Sequence, residues 1–103
     1  MAFANPAGFG QIKPALLLAN VEPSKHAEVV AALNERDEVV YLSTMLGEFD
    51  LCIQVYTEDE AELLKLTHSV RELPGVQSVK VMLEIDVHKL HWRLLRTPAP
   101  VED

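Results

Sequence analysis

Residues 39–57 read VVYLSTMLGEFDLCIQVYT, and this stretch decides the fold. Val39, Val40, Tyr41 and Thr44 suit a pleated strand. After Gly47-Glu48-Phe49-Asp50, the apolar Leu51, Ile53 and Val55 alternate with Cys52, Gln54 and Tyr56, the period of a strand with one buried face. Two strands joined by a tight glycine-containing connection form an antiparallel hairpin.

Working outward, Ala15 to Val21 is a short apolar run bounded by Pro14 and Glu22-Pro23, which predicts a buried strand. Pro23 and Ser24 open a helix in which Ala27, Val30 and Leu33 recur at helical spacing up to about Glu35. Beyond the hairpin, Thr57 followed by Glu60 has the spacing of a capping box, and Glu58, Asp59 and Glu60 favour the positive end of a helix dipole. Leu63, Leu66, Val70 and Leu73 form the apolar stripe of that second helix, which Pro74-Gly75 ends. In the last strand Val79, Val81, Leu83, Ile85 and Val87 point one way, and Ser78, Lys80, Met82, Glu84, Asp86 and His88 the other. The order strand, helix, strand, strand, helix, strand is an α+β arrangement, a ferredoxin-like βαββαβ sandwich. The second half echoes the first faintly, with Val39, Met45 and Leu46 falling at a constant offset on Val76, Met82 and Leu83. Both helices would cover one sheet face, leaving the other, of mixed polarity, for solvent or a second copy of the chain. A second copy is the preferred occupant.

A chain of 103 residues, 49% hydrophobic and 24% charged, supports one folded core. Residues 1–13, with Asn5-Pro6, Gly8 and Gly10, read as a linker, residues 14–92 as the domain and 93–103 as a C-terminal tail. Sixteen acidic against nine basic residues, net charge -7, argue against direct contact with nucleic acid. No apolar run reaches the length of a membrane span and the N-terminus lacks a signal pattern, so the expected location is cytoplasmic. Cys52, the single cysteine, lies in an apolar run without an evident base partner. No phosphate loop, paired-cysteine motif or nucleophile elbow occurs, so neither catalytic residues nor a cofactor are expected. His88 and His91 point to opposite faces of an extended chain, and His26 and His68 read as surface residues, so no metal site is expected either. Trp92, among His91, Arg93 and Arg96, reads as part of a segment that docks on a neighbouring subunit.

The hairpin connection carries the most chemistry. Gly47 lets the backbone expose N–H groups, and Glu48 and Asp50 set two carboxylates beside the ring of Phe49, a combination suited to an ammonium group or a partner's amide; by composition alone the segment reads more readily as an ordinary hairpin turn with Phe49 plugging the core. Asn5-Pro6 with Phe9-Gly10, Val21-Glu22-Pro23-Ser24, Gly47-Glu48-Phe49-Asp50 and Leu73-Pro74-Gly75-Val76 together resemble the effector-binding (RAM) domain of the Lrp/AsnC, or feast/famine, transcription regulators. The resemblance runs from Asn5 to about Lys89. It implies an ACT-like domain that dimerises through its sheets into a dimeric α/β barrel, with dimers joining into tetramers or octamers. It further implies that an amino acid or related small molecule binds between dimers near the Gly-x-x-Asp turn, at Gly47, Glu48, Phe49 and Asp50, with Asp50 taking the ammonium group. The chain departs from the family in having Leu46 where Thr is common, and Val79 and Val81 where the last strand commonly carries hydroxyls. Thr44 and Ser78 are then the hydroxyl candidates near the site. The family's helix-turn-helix has no counterpart in these residues.

The expected function is a non-catalytic sensing and oligomerisation domain, a homo-oligomer whose partners are a small-molecule effector and a full-length regulator of the family. Two alternatives use the same scaffold: a cofactor-free dimeric α/β-barrel enzyme, and a structural subunit that forms mixed oligomers without a ligand.

Overall fold

The computed structural model describes residues 13–89. The linker reading of residues 1–13 lies outside the described residues except at Lys13, which opens the first strand instead, and the docking segment with His91 and Trp92 lies outside them as well. Within them the chain forms β1 (Lys13–Val21), α1 (His26–Asn34), β2 (Val39–Thr44), β3 (Leu51–Thr57), α2 (Glu60–Arg71) and β4 (Val76–Leu83), with a 3₁₀ turn at Pro23–Lys25 leading into α1. The four strands make one sheet in the order β2-β3-β1-β4, every neighbouring pair antiparallel. This is the α+β, ferredoxin-like topology that the element order predicts.

Alternation sets which face each strand buries. Ala15, Leu17, Ala19 and Val21 of β1 and Leu51, Ile53 and Val55 of β3 form the floor of the core. Val29 and Leu33 of α1 and Leu63, Leu66 and Val70 of α2 close over it, so both helices lie on one face. Each large aliphatic side chain removed from water here contributes about 1.5–3 kcal/mol. Arg36 ties the helices together: its Nη1 donates to Ser69 Oγ at 2.7 Å, and that hydroxyl donates to Leu66 O at 2.9 Å.

Four local expectations need correction. In α1 the buried stripe is Val29 and Leu33, with Val30 half-buried and Ala27 exposed, because the 3₁₀ turn ahead of the helix shifts its phase. The N-cap of α2 is Asp59, whose Oδ1 accepts the Glu62 N–H at 2.8 Å while Glu62 Oε1 accepts the Glu58 N–H at 3.0 Å. Thr57 instead continues the inward alternation of β3; it is 3% exposed, and its hydroxyl has no partner among the described residues. β4 stops at Leu83, leaving Ile85 and Val87 exposed beyond it, and only Val79 of the expected set is buried. The fourth correction is the β2–β3 connection, which spans residues 45–50 and is longer than a tight turn.

The Pro74-Gly75 stop also locks the two halves together. Gly75 has φ +100°, and a side chain there would collide with Cβ of Lys25 at the start of the first helix. Its carbonyl accepts the Glu22 N–H at 2.7 Å. Gly75→Ala is expected to cost about 2 kcal/mol in urea denaturation, from the unfavourable φ and the forced displacement of Lys25. Gly47→Ala, where the added methyl meets nothing within 4 Å, carries only the backbone strain of φ +140° and should cost less than Gly75→Ala, which adds a collision to its own strain. Equal losses at the two positions would overturn this packing argument.

Candidate functional site

The β2–β3 turn stands on a base held by one residue. Met45 N–H donates to Asp50 O at 2.8 Å, and Asp50 N–H donates to Ala19 O at 2.9 Å. Asp50 Oδ2 accepts the Val21 N–H at 2.8 Å, so Asp50 joins the ends of β1, β2 and β3. Above this base the chain turns at Gly47, whose φ is +140°, with Leu46 fully exposed, Glu48 exposed and Phe49 half-buried. The backbone N–H groups of residues 46–49 have no hydrogen-bond partner among the described residues. Glu48 has none either. Four consecutive free donors and a free carboxylate beside an aromatic ring suit a small molecule carrying an anionic and a cationic group.

The two hydroxyl candidates stand apart. Thr44, at the end of β2, pairs with Leu51 on the helix-covered face, and its Oγ1 lies 3.1 Å from Nε2 of His26. Ser78 sits on β4, the opposite edge strand, with its Oγ 3.3 Å from the donating Nδ2 of Asn20 on the open face. Thr44 therefore borders the turn, while β1 separates Ser78 from it. His26 and Asn20 are the polar neighbours that sequence reasoning passes over. Each is brought in by tertiary pairing, and no local motif marks either one. Among the described residues no group of three or more His, Cys, Asp or Glu is placed to hold a metal ion, and no helix is long and apolar enough to cross a membrane.

The sheet face away from the helices carries Leu16 and Leu18 of β1, Cys52, Gln54 and Tyr56 of β3, Tyr41 and Ser43 of β2, and Lys80 and Met82 of β4. Burial pushes the Tyr56 phenol up, and the neighbouring Glu84 carboxylate adds to the rise. Burial also raises the Cys52 thiol, with a hydrogen bond from the cross-strand neighbour Ser43 partly opposing it. A raised thiol is almost wholly protonated at neutral pH, which makes it a poor nucleophile. Alkylation of Cys52 by iodoacetamide at pH 7 should be slower than that of free cysteine, should accelerate as pH rises, and should slow further in Ser43→Ala. A rate at or above that of free cysteine would overturn this assignment.

Comparison with known proteins bears on the whole domain. A family model of the Lrp/AsnC ligand binding domain matches residues 15–93. The HTH-type transcriptional regulator FL11 of Pyrococcus abyssi is 27% identical over 88 residues, which are 85% of this chain and 58% of that protein. The chain thus spans 58–60% of the length of the curated relatives it matches, all of them named as HTH-type transcriptional regulators. The crystal structure of the hypothetical protein PHS023 from Pyrococcus horikoshii, 28% identical, superposes with a TM-score of 0.65 over 74% of this chain and 93% of that one. The M. tuberculosis feast or famine regulatory protein complexed with L-methionine shares the fold, with TM-score 0.75 at 19% identity over 90% of this chain and 63% of its own. The family model covers well over half of the chain and the topology is shared, and the chain belongs to the Lrp/AsnC ligand-binding-domain family.

Proposed function

We propose that this chain is a non-catalytic sensor of a small molecule, an amino acid in the first instance, and that it works as an oligomer. The observation that carries the reading is the turn of residues 46–49, where four backbone N–H groups and the Glu48 carboxylate have no partner among the described residues and Phe49 adds an aromatic ring. The donors suit an amino acid's carboxylate, and the Glu48 carboxylate suits its ammonium group. A relative of the same fold complexed with L-methionine supports this class of ligand. Gly47, Glu48 and Phe49 are the proposed contact residues, with Thr44 at the border and Ser78 across β1; Asp50, expected from the sequence to take the ammonium group, has its Oδ2 engaged by the Val21 N–H and holds the root of the turn.

A second copy is the proposed occupant of the open sheet face, where Tyr41 and Met82 are 54% and 53% exposed and Leu16 and Leu18 are half-buried. The same face would allow mixed assembly with a full-length regulator. Ligand bound to one assembly state stabilises it by mass action, about 2.7 kcal/mol at a hundredfold excess over Kd, and so shifts pairing. In this role the chain acts on transcription through its partners, within the cytoplasm, and touches no DNA itself.

Calorimetry with the twenty amino acids should give heat with at least one. That amino acid should shift the backbone amide resonances of residues 46–49 far more than those of α2. No heat from any of them, or shifts confined elsewhere, would overturn the sensor reading. Light scattering at micromolar concentration should give at least twice the 11.5 kDa chain mass, falling to a monomer in Leu18→Glu. A monomeric wild type would overturn the assembly.

A further inference from the structure

The turn holds two carboxylates, and the structure treats them differently. Asp50 makes three hydrogen bonds, all to backbone: its N–H to Ala19 O, its carbonyl from Met45 N–H and its Oδ2 from Val21 N–H at 2.8 Å. Val21 is 3% exposed and lies just past the register shift at Asn20, where the β1–β3 ladder has ended at the Ala19–Leu51 pair. With no strand residue opposite, its N–H would be an orphan donor at the edge of the core. The Asp50 side chain stands in for the missing strand. The next residue, Glu22, gives its N–H to Gly75 O, so this bond begins a short series that runs from the turn to the Pro74-Gly75 corner and the start of the first helix. Glu48, two residues before Asp50, is exposed and has no partner among the described residues.

We infer that Asp50 is the positioning residue of the turn, latched to Val21 by its own side chain, and that Glu48 is the carboxylate that meets a ligand's cationic group. A carboxylate whose Oδ2 is engaged by an N–H at the core edge has its direction set by the sheet, and turning it toward a ligand would strand that donor. Glu48 reorients without breaking any internal bond. This division of labour rests on the sensor reading for Glu48, whereas the latch itself stands in the ligand-free protein.

Amide hydrogen exchange of the ligand-free protein tests the latch. The Val21 amide should exchange slowly in the wild type and in Asp50→Asn, whose side-chain oxygen still accepts the bond, and at least tenfold faster in Asp50→Ala. Calorimetry with each of the twenty amino acids on the same proteins tests the roles. Affinity in Asp50→Asn should stay within about twofold of wild type, and Glu48→Gln should lose about tenfold or more with Val21 protection unchanged. Rapid Val21 exchange in the wild type would overturn the latch. Loss of affinity in Asp50→Asn with Val21 still protected, or full affinity in Glu48→Gln, would overturn the assignment of roles. Should no amino acid bind, the sensor reading and the role of Glu48 fail together, and the exchange of Val21 still decides the latch.

Discussion

Everything in this domain leans on β1. It is hydrogen-bonded on both sides, to β3 and to β4, and its alternate residues Ala15, Leu17, Ala19 and Val21 are all buried beneath the helices. Ala15 and Ala19 keep that floor low enough for the helices to pack close, and Leu17 fills the space between them. Pro14 is tolerated because it lies beyond Ala15, the last β1 residue paired with β4, at the start of the strand where a missing N–H costs least. A central strand buried on one side and half-covered on the other leaves one sheet face without a layer of its own. That incomplete burial is the physical basis for the proposed association through the sheet.

The end of β1 also decides how the β2–β3 turn is held. The β1–β3 ladder runs out at Ala19 and Leu51, the β1–β4 pairing shifts register at Val21, and the chain must leave the sheet for the first helix. Backbone groups at such a junction need side chains or loops to satisfy them, and here Asp50 and Gly75 do so. The turn of residues 45–50 is thereby fixed at its root and free at its tip. A rigid base under unpartnered donors is the arrangement that lets a loop recognise a ligand without paying for its own ordering.

Much of the fold was legible because it follows from local periodicity. β3 alternates perfectly, and its burial follows residue for residue from Leu51 to Thr57. In α2, Leu63, Leu66 and Val70 are buried as the spacing predicts, but the helix ends at Arg71, so Leu73 lies beyond it, half-buried against the core ahead of Pro74-Gly75. The misplaced details share one cause, competition between two local signals. Thr57 matched a capping spacing and a strand alternation together, and the strand prevailed because burying Thr57 continues the core. In α1, Val29 and Val30 are adjacent apolar residues, and the phase set by the preceding 3₁₀ turn chose Val29. The turn at Gly47 drew notice through its composition, but the engagement of Asp50 by Val21 spans 29 positions and left no trace in either segment.

The sequence by itself determined the element order, the face that β3 buries, the acidic balance and the family resemblance, since each is written in composition or in spacing a few residues long. Only the tertiary structure decided which polar groups meet. It set His26 beside Thr44, Asn20 beside Ser78 and Ser43 beside Cys52, and it committed one of the turn's two carboxylates to the sheet while leaving the other free. The physical reason is that hydrophobic burial repeats with a period that any short window shows, whereas a hydrogen bond between distant segments exists only once the sheet has brought both ends together.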